Sequence, residues 1–116
     1  MLNLTGSLKV YVATEAADLR KSFTGLWALT TNVLKEDPEQ GGLFVFTNRR
    51  RNRVKMLYWD GTGLWVMTKR LEKGTFNWPL GVEVENGKLP LSPEALGLLL
   101  DGVDLKRGSL RPWYQR

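Results

Sequence analysis

Two apolar, aromatic runs, Leu43–Phe46 and Met56–Trp59, flank the segment Asn48–Lys55, in which four arginines and a lysine occupy eight residues. No other stretch constrains the fold as much, because this one mounts dense positive charge on a rigid β support and not on a loose tail. Asp60-Gly61-Thr62-Gly63 follows at once. It is a hairpin signal, since glycine takes positive φ freely. The spacing predicts a three-strand meander of Leu43–Thr47, Arg53–Trp59 and Leu64–Leu71. A turn with an even number of residues sets the side-chain parity across the second joint. One face then carries Val54, Met56 and Tyr58 opposite Trp65, Met67 and Lys69, and reads as the core face. The other carries Arg53, Lys55, Leu57 and Trp59 opposite Leu64, Val66, Thr68 and Arg70, apolar near the turn and basic at its far end. The third strand runs back toward the arginine loop, so Arg70 and Lys73 are expected beside Arg49, Arg50, Arg51 and Arg53.

Upstream, Leu8–Ala13 alternates apolar and polar residues with the period of a half-buried strand. Thr14 is placed to cap a helix with Glu15 and Asp18 in its first turn. An apolar stripe of Leu19, Phe23, Leu26, Trp27, Thr30, Val33 and Leu34 carries that helix from Asp18 to Lys35, with Gly25 marking close packing or a bend. Asp37-Pro38 and Gly41-Gly42 end it. Downstream, Gly74–Pro79 breaks the third strand. Val82–Glu85 and Lys88–Leu91, joined by Asn86-Gly87, read as a second short hairpin with Pro90 on an edge strand. Ser92-Pro93-Glu94 starts a short helix that Asp101-Gly102 stops. The tail Lys106–Arg116 is basic and is left without assigned structure. The expected fold class is therefore α+β: a single domain over residues 1–116, an antiparallel β-meander with a long N-terminal amphipathic helix and a short C-terminal helix.

Composition narrows the chemistry. A chain of 116 residues has room for one hydrophobic core. It has no cysteine and no histidine, which removes disulfides, thiolate metal sites, the commonest general base and every histidine-dependent triad. No apolar run is long enough to span a membrane and the first residues lack a signal-peptide pattern, so a cytoplasmic location is expected. Charge is uneven: Leu43–Trp78 holds eight Lys or Arg against two acids, a balance of +6, whereas the remainder holds nine against ten, or −1. That concentration favours a polyanionic partner.

Catalytic carboxylates would have to converge from different elements. Asp60 belongs to a turn, Glu83 and Glu85 lie on one expected edge strand, and Asp18 sits at an expected helix start. Each has a structural explanation. No phosphate-cradling glycine loop occurs. The chain is therefore read as non-enzymatic, without catalytic residues, cofactor or metal. The basic residues Arg49, Arg50, Arg51, Arg53 and Lys55, with Lys69, Arg70 and Lys73 adjoining, are the candidate nucleic-acid contacts, since arginine binds phosphate bidentately and crowded charge calls for an anion. Arg20-Lys21 is a weaker candidate. Trp59 on the mixed face is a possible stacking platform. Trp27 and Trp65 are expected to pack in the core. Trp78 and Trp113, each beside a proline, are unassigned and could anchor a partner protein.

The strings VYVATEAADLRKSFTGL (Val10–Leu26) and LFVFTNRRRNRVKMLYWDGTGLWVMTKRLEKGTFNWP (Leu43–Pro79) closely resemble the TnpB accessory proteins of the IS-sixty-six class of bacterial insertion sequences. The resemblance covers about Leu8 to Leu105. It departs at Ser22 and Thr24, where the family tends to have a small residue and then an acid, and in the loop, which is RRRNR here and commonly RRGDR-like. The resemblance implies a part in transposition beside a separate transposase that holds the catalytic acids. Two functions fit: a non-catalytic accessory protein that touches DNA through the basic loop and sheet end, or a protein adaptor that binds the transposase without touching DNA. Oligomeric state is not legible.

Overall fold

In the computed structural model, which describes residues 8–102, five strands form one mixed sheet. They are β1 (Val10–Ala13), β2 (Leu43–Thr47), β3 (Arg53–Trp59), β4 (Leu64–Arg70) and β5 (Lys88–Leu91), ordered β4-β3-β2-β1-β5. The apolar run Leu43-Phe44-Val45-Phe46 lies at the centre, and every residue of β2 is buried. A strand apolar on both faces needs cover on both. Leu43 and Val45 face a core built with Val10, Val12, Val54, Phe76, Trp78 and the helix α2 (Pro93–Leu100) through Ala95, Leu96 and Leu99. Phe44 and Phe46 face a second core with Leu19, Leu57, Leu34 and Leu26, the last from α1 (Phe23–Ala28).

β2, β3 and β4 pair antiparallel, with Val54↔Lys69, Met56↔Met67 and Tyr58↔Trp65 on one face and Arg53↔Arg70, Leu57↔Val66 and Trp59↔Leu64 on the other. The hairpin is locked by Asp60. Its Oδ1 accepts from the backbone N–H groups of Thr62 (2.9 Å) and Gly63 (3.0 Å), and its Oδ2 from the indole N–H of Trp65 (2.8 Å). These donors, the Thr62 amide foremost, hold the Asp60 carboxyl well below the usual carboxylate range.

The expected fold is corrected on several points. The sheet is not an antiparallel meander throughout. β1 lies parallel to β2, and β5 pairs antiparallel with β1. A parallel neighbour requires a crossover, and residues 14–42 supply it. No long helix runs from Asp18 to Lys35. Thr14 is buried: its N–H donates to the Gly87 carbonyl (2.9 Å) and its carbonyl accepts from Gly81 (3.0 Å), while the Ala17 N–H donates to Thr47 (2.8 Å). These long-range bonds keep residues 14–17 out of a helix, and the local helix signal loses to them. Asp18 instead closes a turn onto the Arg20 N–H (3.0 Å), and helix begins only at Phe23. It widens into a π turn over Leu29–Val33. There the Thr30 and Thr31 hydroxyls donate to the Leu26 (2.8 Å) and Trp27 (3.1 Å) carbonyls, competing with the i−4 amide bonds. Gly25 is required by close packing, since a Cβ there would stand 2.6 Å from the Lys21 Cβ.

The second hairpin is also absent. Val82–Val84 is not a strand, Glu85–Gly87 is a short 3-10 turn, and Lys88–Leu91 adds to β1. Pro90 does lie on an edge strand. Trp65 is 45% exposed and does not belong to the core. Trp78, expected as a possible anchor, is buried, donates its indole N–H to the Ala13 carbonyl (2.8 Å), and meets Phe76 edge to face at 6.3 Å. Trp113 and the Lys106–Arg116 tail lie outside the described residues. Among those described, no helix is long and apolar enough to cross a membrane.

Candidate nucleic-acid interface

The loop between β2 and β3 is built by one side chain. Asn48 Oδ1 accepts from the Asn52 and Arg53 N–H groups (3.1 Å each), and its Nδ2 donates to Asn52 Oδ1 (2.7 Å). The Arg51 N–H donates to the Asn48 carbonyl (3.0 Å), closing a turn. From outside, the segment after β4 straps the loop down: Leu71 N–H donates to the Asn52 carbonyl (3.0 Å) and Phe76 N–H to the Arg51 carbonyl (2.7 Å), with the Phe76 ring fully buried. Arg51 sits at φ 58°, in the left-handed region. A non-glycine residue there costs about 1–2 kcal/mol, and this loop holds it in place.

On this fixed backbone Arg49, Arg50, Arg51 and Arg53 are all exposed. Arg70 stands directly opposite Arg53 in the ladder, a like-charge pair that disfavours the sheet unless an anion intervenes. Lys73 lies in the strap that returns beside Arg51. Among the described residues the ion pairs are Asp18–Arg20 and Glu36–Lys88, so none of these six cations has an acidic partner there.

Two of the expected residues are placed differently. Lys55 is half-buried and donates to the Lys21 carbonyl (2.9 Å) on the α1 face. Lys69 points to the opposite face and donates to the Leu100 carbonyl (2.7 Å) at the end of α2, where a cation complements the helix dipole. Both ammonium groups are thus engaged by backbone carbonyls. Trp59 ends β3 beside the turn, about 20 Å along the strand from Arg53 at about 3.3 Å per residue, away from the basic cluster.

Arg20, the weaker candidate in sequence, lies across a groove from the loop. A groove of about 510 Å³ runs between residues 16–20 and 48–53, with Arg20 and Asp18 on one wall and Arg49, Arg50 and Arg53 on the other. Arg20 holds Asp18 in a fork, Nε at 3.0 Å and Nη2 at 2.8 Å. That bond, the largest cause, keeps the Asp18 carboxyl well below the usual range and the Arg20 guanidinium charged. The signal in sequence was Asp18-Leu19-Arg20, which suits an Asx turn as well as a helix start. The exposed guanidinium groups thus lie on the loop wall of the groove, and the facing wall holds a guanidinium already paired with a carboxylate. Among the described residues no cluster of three or more acids, histidines or cysteines is placed to hold a metal ion.

Relatives of the chain share almost its full length. It is 39% identical over 112 residues to the uncharacterized protein y4jC of Sinorhizobium fredii (strain NBRC 101917 / NGR234), covering 97% of this chain and 93% of that one. The uncharacterized protein y4hO of the same organism is 38% identical over 104 residues, covering 90% and 88%. No solved structure matches the chain. The family model described as IS66 Orf2 like protein matches residues 8–109, and the chain belongs to that family.

Proposed function

We propose that this chain is a non-catalytic accessory protein of IS66-type DNA transposition that grips the DNA backbone at the β2–β3 loop. Arg49, Arg50, Arg51 and Arg53 make the contact, and Arg70 and Lys73 extend it along the sheet end. The observation that carries this reading is the loop itself, with four exposed guanidinium groups and no acidic partner among the described residues, on a backbone already ordered by Asn48. A preorganised donor set spends little free energy on ordering when it binds. The test is fluorescence anisotropy with a duplex at low salt. The chain with Arg49, Arg50, Arg51 and Arg53 all changed to Ala should bind far more weakly while keeping its melting temperature, and unchanged affinity would refute the reading.

A second reading, an adaptor for the transposase of the same element, is favoured by a different observation. Phe23 and Val33 are 48% and 51% exposed, and Val33 lines an apolar cavity of about 240 Å³. Capture of purified transposase by the four-alanine variant in the presence of nuclease would support the adaptor. Capture by the unaltered chain that disappears when nuclease is added would support contact through DNA.

A further inference from the structure

The two edges of the sheet differ. β5 is four residues long, and Pro90 removes a backbone donor from it. β4 is seven residues long and has no proline, and among the described residues no strand lies outside it. Its hydrogen-bond phase follows from its two ends. The Asp60 N–H donates to the Gly63 carbonyl and the Leu71 N–H to the Asn52 carbonyl, each at 3.0 Å. With Met56 paired to Met67 between them, alternation gives β3 the backbone groups of Trp65, Met67 and Lys69. The N–H and C=O groups of Leu64, Val66, Thr68 and Arg70 therefore point outward.

We propose that β4 pairs with β4 of a second copy of this chain, antiparallel and centred on Met67, so that two sheets continue as one. Ladder bonds form only where outward residues oppose outward residues, and a two-fold at Met67 achieves this over the whole strand. Val66 then faces Thr68 of the other copy, Leu64 faces Arg70, Trp65 faces Lys69, and Met67 faces Met67. Every cation meets an apolar or aromatic residue, whereas a register that set Arg70 against Arg70 would oppose like charges. The ends are complementary too. The Asp60 carboxylate marks one end of β4 and Lys69, Arg70 and Lys73 mark the other, so antiparallel pairing sets each acidic turn beside the other copy's basic end. Trp65 is already held for this contact, its indole fixed to Asp60 Oδ2 at 2.8 Å and 45% exposed.

The chain has no cysteine, so an introduced one reports without background. Met67→Cys should form a disulfide-linked dimer under mild oxidation, because opposed residues at a non-hydrogen-bonded pair bring their Cα atoms to about 4.5 Å. Trp65→Cys should not, since its counterpart is displaced by about 13 Å along the other strand. Sedimentation equilibrium of the unaltered chain should show a concentration-dependent dimer, and Thr68→Pro, which deletes an outward donor, should weaken it about tenfold or more. A chain that stays monomeric up to about 1 mM overturns the proposal. So does equal cross-linking of the two cysteine variants, and so does a folded Thr68→Pro variant that dimerises as before. If that variant does not fold, the cysteine pair decides. No nucleic acid enters these assays, so their outcome is independent of the DNA reading.

Discussion

Arg51 links the strain of the loop to its charge, and Arg51→Gly separates them. Its backbone sits at φ 58°, which costs a non-glycine residue about 1–2 kcal/mol. Glycine removes that cost but adds about 0.4–1 kcal/mol of unfolded-chain entropy. The net expectation is a gain of about 0.5–1 kcal/mol, or roughly 3 °C in Tm for a domain of this size. The same change deletes one guanidinium, so duplex affinity falls and the slope of log K against log salt shrinks by about 0.9. Arg51→Ala is the control: it keeps the strained φ, should leave Tm nearly unchanged, and should weaken binding as much as glycine does. The assays are thermal unfolding by circular dichroism and anisotropy titration over a salt series. A glycine variant that melts at a lower temperature would refute the strain argument, and one that binds with an unchanged salt slope would remove Arg51 from the interface.

Three other outcomes follow from the fold. Asn48→Ala leaves the Asn52 and Arg53 amides without their acceptor and should destabilise the chain by about 2 kcal/mol in urea unfolding, with faster amide exchange across residues 48–53. Gly25→Ala should lower stability despite a helix-propensity gain of about 1 kcal/mol, because the new Cβ meets the Lys21 Cβ at 2.6 Å; a rise in Tm would show that Lys21 moves aside. Asp60 has its folded-state pKa depressed, so its stabilising effect is present above its ordinary value of 3.8 and is lost as pH falls below that. Urea midpoints at pH 5 and pH 2.5 should therefore differ less in Asp60→Asn than in the unaltered chain.

Local signals carried part of this fold. The side-chain parity of β3 and β4 followed from an even turn at Asp60–Gly63, and the start of α2 from Ser92-Pro93-Glu94, whose Ser92 Oγ accepts from Ala95 N–H at 3.1 Å. What was not legible depends on partners far away in the chain. Thr14 looked like a helix cap because nothing local announces Gly81 and Gly87, which bind its backbone. Without those bonds in view, β1 could not be set parallel to β2, nor β5 beside β1. At the candidate site the convergence of Arg70 with Arg53 was legible from strand direction. The engagement of Lys55 and Lys69 with carbonyls of Lys21 and Leu100 was not, because both acceptors belong to elements whose docking only the packed sheet defines.

The central claim is that the β2–β3 loop meets the DNA backbone. Its most direct measurement is the salt dependence of duplex binding, for the unaltered chain and for the variant with Arg49, Arg50, Arg51 and Arg53 changed to Ala. Six exposed cations, those four with Arg70 and Lys73, predict a slope of log K against log salt of about −5, and loss of four should reduce it to about −2. Equal slopes for the two proteins, both folded, would contradict the claim.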